Sequence, residues 1–232
     1  MPRSTTAQGR TGRPPRTSRA EILAGARRII ERDGWQKLTV RKLAAEIGVG
    51  TMTIYHHVRD REDLLVQLIN EQTDQAPRPE LPDRPRDRIV VAAVATHDSL
   101  AAWPWAAEVL ATDGFLGRVG ESALWFVETI VAGAVEEGCT QEQAVVLFRS
   151  IWYYTVGEIL VRAHSGREQA GAARPGARDT IFSTPHRSLR DLDPSRQPHL
   201  VAIGDQWPVF AARDTYRQGL EALVDGLLAR AG

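Results

Sequence analysis

The stretch TVRKLAAEIGVGTMTIYHHV, residues 39–58, constrains the fold more than any other part of the chain. Val40, Leu43, Ala44 and Ile47 fall at helical spacing behind Thr39, a helix-capping residue type, and Gly48 stops the run after about two turns. The turn Gly48-Val49-Gly50 follows at once, and a second short helix is predicted near Thr51–His57. Two helices this short, joined this tightly, hold each other at a fixed angle.

The flanks supply elements to pack against. In TSRAEILAGARRIIERDGW, Ser18 and Glu21 make a capping box, Ile22, Leu23, Ala26, Ile29 and Ile30 form a helical stripe, and Gly34 is the stop. After the pair, Asp60 caps a helix whose stripe is Leu64, Leu65, Leu68 and Ile69. Three helices therefore occupy about forty residues, and a fourth leads away to a proline-rich linker at 76–86. Beyond it the pattern stays helical: one helix in DRIVVAAVATHDSLAAW ending near Pro104, one in ESALWFVETIVAGAVEEG ending at Gly138, and one opened by the Thr140–Gln143 box. This last is apolar around most of its girth, which predicts burial on more than one side. Residues 165–200 show little periodicity and read as a long loop. Tyr216, Leu220, Leu223, Val224, Leu227 and Leu228 make a final stripe. No segment alternates with period two, so the expected fold class is all-α, a small N-terminal module and a larger helical body. The expected division is a disordered basic arm at 1–17, a first domain at 18–76 and a second at 77–232.

Charge separates the same two parts. The 232 residues carry no net charge, yet residues 1–61 hold 13 Lys/Arg against 5 Asp/Glu and the remainder holds 16 against 24. A basic module on an acidic body points to a polyanion partner at one end. The one cysteine, Cys139, excludes an internal disulfide framework and Cys-rich metal sites, and suggests the reducing cytoplasm. No apolar run reaches the ~18–20 residues of a membrane span, and no apolar segment follows the arginine-rich start, so no membrane association is expected.

The tight pair has the design of a helix-turn-helix: the first helix crosses the DNA backbone and the second enters the major groove. Thr51 and Thr53 offer hydroxyls and methyls to bases or phosphates, with Ile54 as the inward anchor. The run LTVRKLAAEIGVGTMTIYHHVRDREDLL resembles the DNA-binding domain of TetR-type (tetracycline-repressor-like) transcriptional regulators, through Thr39, Arg41-Lys42-Leu43-Ala44, Gly48-Val49, Ile54-Tyr55, His57-Val58 and Asp60-Arg61-Glu62. The resemblance covers roughly residues 18–70. A weaker likeness to the C-terminal branch of that family lies in Trp207-Pro208, Asp214 and GLEALVDGL. It implies a homodimer joined through helices at about 141–163 and 214–230, a palindromic double-stranded operator, and a small-molecule effector that relieves repression.

The candidate DNA-contacting residues are Thr39, Arg41, Thr51, Met52, Thr53, Tyr55, His56 and Arg61. Tyr55 stands where the family places a phosphate contact. Arg41 and Arg61 flank the second helix and suit phosphates. Met52 either meets a base or packs inward, and Lys42 either faces phosphate or pairs with Glu46 at i, i+4. Arg13 and Arg16, in the basic arm, either enter a minor groove or belong to a disordered tail that only raises nonspecific affinity. His56 and His57 cannot share a metal, because neighbouring residues on a helix point about 100° apart. His56 is expected to face the DNA backbone beside Tyr55, and His57 to pack at the helix end.

For an effector, His97, Trp103, Trp125, Trp152 and His164 are the candidate contacts, drawn from an aromatic-rich body. No catalytic motif, metal site or cofactor is expected. The competing reading is a helical small-molecule-binding or catalytic protein with no DNA role.

Overall fold

A computed structural model describes residues 17–112, 114–172 and 188–230. The basic arm, with Arg13 and Arg16, lies outside the described residues but for Thr17. The chain divides into two compact units, Met1–Glu71 and Gln72–Gly232. The division falls a few residues before the 76/77 boundary expected from the sequence, inside a helix rather than after it.

In the first unit, α1 (Arg19–Asp33) starts on the Ser18–Glu21 capping box and ends at Gly34, whose φ of 87° is open to glycine. A 3-10 turn, Trp35–Lys37, leads to α2 (Val40–Ile47), capped by the Thr39 hydroxyl on the Lys42 amide and closed by left-handed Gly48. Then come α3 (Thr51–Tyr55) and α4 (Arg61–Gln75), and the Asp60 carboxylate accepts from the Asp63 amide at 2.8 Å. Helices of five and eight residues are not stable alone. Here they are held by burial: Ile22, Ile29, Leu38, Leu43, Ile54, Leu64, Leu65 and Leu68 are all almost wholly shielded. Gly25 brings α1 against α2, since a Cβ there would stand 3.1 Å from Leu43 Cδ1.

The second unit contains α5 (Pro85–Ala101), α6 (Pro104–Leu110), α7 (Glu121–Glu136), α8 (Gln141–Ala172), α9 (Pro198–Ile203), α10 (Trp207–Ala211) and α11 (Tyr216–Leu228). Its core joins Ile89 and Ala93 of α5, Phe126 and Ile130 of α7, Leu147 and Ile151 of α8, and Leu220 and Val224 of α11. Thr140 and Gln143 cap each other reciprocally to open α8, as the sequence predicts. No strand occurs among the described residues.

Three expectations are corrected. Pro104 does not merely end a helix; it opens α6, because proline's fixed φ suits a first helical position. The loop read at 165–200 is partly helical: α8 runs on to Ala172, and α9 starts at Pro198, while 173–187 lie outside the described residues. Short helices of one or two turns leave no stripe for periodicity to detect. Finally, Gln141–Ser165 is by length and composition apolar enough to cross a membrane, contrary to the expectation that no such run exists. That expectation counted unbroken apolar runs, whereas this helix intersperses Glu142, Arg149, Glu158 and Arg162. Its Ala144, Leu147, Ile151 and Ile159 are buried within the unit.

Candidate nucleic-acid interface

The turn and α3 sort their side chains by depth. Ile54 is fully shielded and Val58 nearly so, so these two fasten α3 to the core. The opposite face is open: Met52 is 69% exposed and Tyr55 50%, with Thr51 and His56 exposed and Thr53 half-buried. The structure thus resolves Met52 outward, where an unpaired apolar side chain has no packing role. His57 is half-buried at the helix end, and its carbonyl accepts from Gln67 Nε2 at 3.2 Å. Thr39 is exposed, but its hydroxyl is the α2 cap, so a DNA contact there would share that oxygen.

Most of the basic excess is used internally. Arg28 and Arg32 bind Glu46, at 3.3 and 3.0 Å, and Lys42 binds Asp33 at 2.7 Å. These pairs knit α1 to α2. The Arg32 hydrogen bond, then that of Arg28, holds the Glu46 carboxyl below its ordinary range, and the Lys42 bond does the same for Asp33. The i, i+4 pairing of Lys42 with Glu46 is therefore not made, because α1 offers both groups nearer partners. Arg27 pairs with Glu71, and Arg59 with Asp63 at 3.3 Å. Partial burial works to raise the Asp63 carboxyl, but the Arg59 amide and guanidinium and the Gln67 amide outweigh it and keep it low. Among the described residues up to 61, Arg19 donates to Gln67 Oε1 at 2.8 Å and Arg61 to backbone carbonyls, which leaves Lys37 and Arg41, both exposed, as the cationic side chains without a hydrogen-bonded or ionic partner. They flank the α2 N-cap.

Arg61 is engaged within the unit. Read as a phosphate contact, it is half-buried, donating from Nε to the Leu38 carbonyl at 2.7 Å and from Nη2 to the Trp35 carbonyl at 2.9 Å. Its guanidinium also lies 5.1 Å from the centre of the Trp35 ring. A planar fork with two parallel donors meets both carbonyls at once, which sequence spacing of 23 and 26 residues does not reveal. Lys37 and Gln67 went unrecognised. A lysine two residues before an N-cap and four before Arg41 was the available signal for the first; nothing local marked the second.

In the second unit the effector candidates separate. His97 is nearly buried on α5, with Nε2 2.8 Å from Glu158 Oε2, Nδ1 3.0 Å from Asp98 Oδ1, and its ring stacked 3.8 Å from Tyr216. Trp152 stacks on Phe115 at 4.7 Å, Trp125 lies under the Arg78 guanidinium, and Trp103 leans on Trp105. His164 is exposed and turned back on its own helix, Nδ1 2.6 Å from the Leu160 carbonyl. An open groove of about 380 Å³ is lined instead by Leu189, Leu200, Gly204, Asp205, Trp207 and Pro208.

Two family models match the chain: "Bacterial regulatory proteins, tetR family" over residues 22–68 and "Tetracyclin repressor-like, C-terminal domain" over 78–231. A transcriptional regulator of the helix-turn-helix type from Saccharopolyspora erythraea is 25% identical across 99% of this chain and 97% of its own. The class A tetracycline repressor of transposon 1721 from Escherichia coli is 27% identical, over 90% of this chain and 89% of its own. Among solved structures, the TetR family protein ActR of Streptomyces coelicolor in complex with (S)-DNPA superposes with a TM-score of 0.68 at 21% identity, covering 93% of this chain and 99% of that one.

Proposed function

The chain belongs to the tetR family of bacterial regulatory proteins, as a transcriptional regulator with a DNA-binding helix-turn-helix, and from that premise we propose that it is a cytoplasmic homodimeric repressor that a small molecule releases from a palindromic operator. One observation carries the reading: α3 exposes Met52, Tyr55, Thr51 and His56 while Ile54 behind them is wholly buried. A short helix fixed by its back and open at its front is a reading head. Residues 18–76 carry that head. Residues 77–232 dimerise through the outer face of α8 with α11, and hold the effector near His97, Trp103, Trp125 and Trp152. Thr51, Met52 and Thr53 meet base edges; Tyr55, His56, Arg41 and Lys37 meet phosphates.

In the dimer two heads enter successive major grooves about 34–36 Å apart, or a multiple of that. Effector binding favours a conformer with the heads mis-spaced, and operator affinity falls by the effector's differential affinity for the two states, ~1–3 kcal/mol. The name of the tetracycline repressor and the (S)-DNPA complex of ActR support a repressor with a ligand-responsive body. The test is a gel shift on the DNA upstream of the protein's own coding sequence, with wild type and a folded Thr53→Ala/Tyr55→Phe variant, against a panel of apolar aromatic compounds. Retardation by wild type, lost in the variant and relieved by a panel member, is expected. Retardation unchanged in the variant would remove α3 as the reading head. Retardation that no compound relieves would leave a DNA-binding protein without the induction half.

A further inference from the structure

We infer that Arg61 is a positioning residue for DNA binding: it touches no phosphate, but fixes the turn before α2 and so sets where Lys37 and Arg41 meet the backbone. The inference rests on the family's DNA-binding function and on the reading head proposed above.

Its bonds carry the argument. Arg61 opens α4, and its two donors close on the carbonyls of Trp35 and Leu38. Those carbonyls bracket the 3-10 turn Trp35–Lys37, and Leu38 is the residue directly before the Thr39 cap. The Trp35 carbonyl already accepts from the Leu38 amide at 3.1 Å, so the guanidinium clamps a turn that is itself closed. The face of the Trp35 ring holds the guanidinium from a second direction. Leu38 is fully buried below this point, so the turn is pinned on its core side by apolar packing and on its α4 side by Arg61. The turn carries Lys37, and Arg41 follows in the first turn of α2. A phosphate-binding cation works only if its backbone is held within about 0.5 Å of the productive place. Lysine does not reproduce the fork: its three donors radiate from one nitrogen on a flexible stem, so it offers neither two parallel N–H bonds from separate nitrogens nor a flat face for the ring.

This separates Arg61 from an ordinary phosphate contact, which lysine satisfies as a point charge. Operator affinity is measured for wild type, Arg61→Lys and Arg61→Gln, each checked for its thermal midpoint. Both variants are expected to bind on the order of ten-fold more weakly, lysine failing to rescue. Full affinity in Arg61→Lys with loss in Arg61→Gln would make Arg61 a phosphate contact and overturn the inference. Unchanged affinity in both would overturn it too. If neither variant folds, wild-type protein labelled with ¹⁵N-arginine decides. The Arg61 Nε–H signal is expected to be protected in the free protein and unmoved by operator, and a large shift on binding would refute the role. A wild type that binds no DNA would instead refute the reading head, a separate result.

Discussion

The Tyr216 hydroxyl lies 2.7 Å from the Thr155 hydroxyl where α11 crosses α8, and both residues are buried. The same phenol reaches the Ala93 carbonyl of α5 at 3.4 Å, and its ring stacks with those of His97 and Tyr154. One side chain thus ties three helices of the second unit. Burial, above the opposing Thr155 bond, pushes the phenol well above its ordinary value.

Tyr216→Phe should therefore destabilise the second unit by about 1–2 kcal/mol, the cost of a buried hydrogen bond removed with its partner left behind. The pH effect has a definite sign. The folded phenol keeps its proton where the unfolded chain, with a tyrosine near pH 10, has lost it. Above about pH 10 the unfolded state binds fewer protons, so stability falls as pH rises. Urea unfolding of both proteins from pH 8 to 11 should show a steeper decline in wild type, with the two curves converging. Parallel curves would mean that the phenol is not the group responsible.

Arg41 is exposed and unpaired, which makes it the best single test of the DNA face. Arg41→Gln should lower the slope of log affinity against log salt by about 0.9 per subunit, with weakening similar on all sequences. Tyr55→Phe removes only a hydroxyl and should cost five- to ten-fold, about 1 kcal/mol. A salt series by fluorescence anisotropy measures both. An unchanged slope in Arg41→Gln would take that residue off the phosphates.

The helices that sequence made visible are those with a local signature: Ser18 with Glu21, Thr39 before Val40, and Thr140 with Gln143 each announce a start within four residues. The inward Ile54 and outward Thr51 follow from the same short-range periodicity. What stayed hidden depends on distant partners. Arg61 looked like a surface cation until α4 folded beside Trp35 and Leu38, and Lys42 looked ready for Glu46 until Asp33 of α1 came nearer. The helices α6, α9 and α10 are too short to repeat a stripe; Pro104 read as a helix end although it is a start, and Pro198, which opens α9, was lost in the loop read at 165–200. The effector residues were least legible, because an aromatic in a core and one in a pocket look alike in sequence: Trp152 packs on Phe115, and His164 on its own backbone.

The outer face of α8 gives a test of assembly. Val145, Val146, Tyr153 and Val161 are each more than half exposed, Tyr153 and Val161 following the adjacent valines at about two-turn intervals, an apolar face left open among the described residues. Tyr153→Glu with Val161→Glu should place charges on the dimer axis and yield a folded monomer by sedimentation. Losing the bivalent grip should reduce operator affinity by a factor on the order of 10²–10⁴. A variant that stays dimeric would move the interface elsewhere.

Gly133 sets how closely α7 approaches α5. A Cβ there would stand 2.8 Å from Ile89 Cγ1 and 3.0 Å from the Pro85 carbonyl oxygen. Two effects oppose each other in Gly133→Ala. Alanine improves helix propensity by about 1 kcal/mol, while overpacking a filled contact costs ~1–3 kcal/mol. The neighbours decide which wins. Ile89 is fully buried and cannot swing out, and the Pro85 carbonyl is backbone at the first residue of α5. The next residue, Arg86, is itself anchored, its amide to Glu137 at 3.0 Å and its guanidinium to both Asp225 oxygens at 2.7 and 2.9 Å. The start of α5 is thus held from α7 and α11 together, so the strain has no cheap outlet. Gly133→Ala should lose stability, by about 1–2 kcal/mol in urea unfolding. A gain in stability would show that α5 yields, and that its ion pairs do not hold it in place.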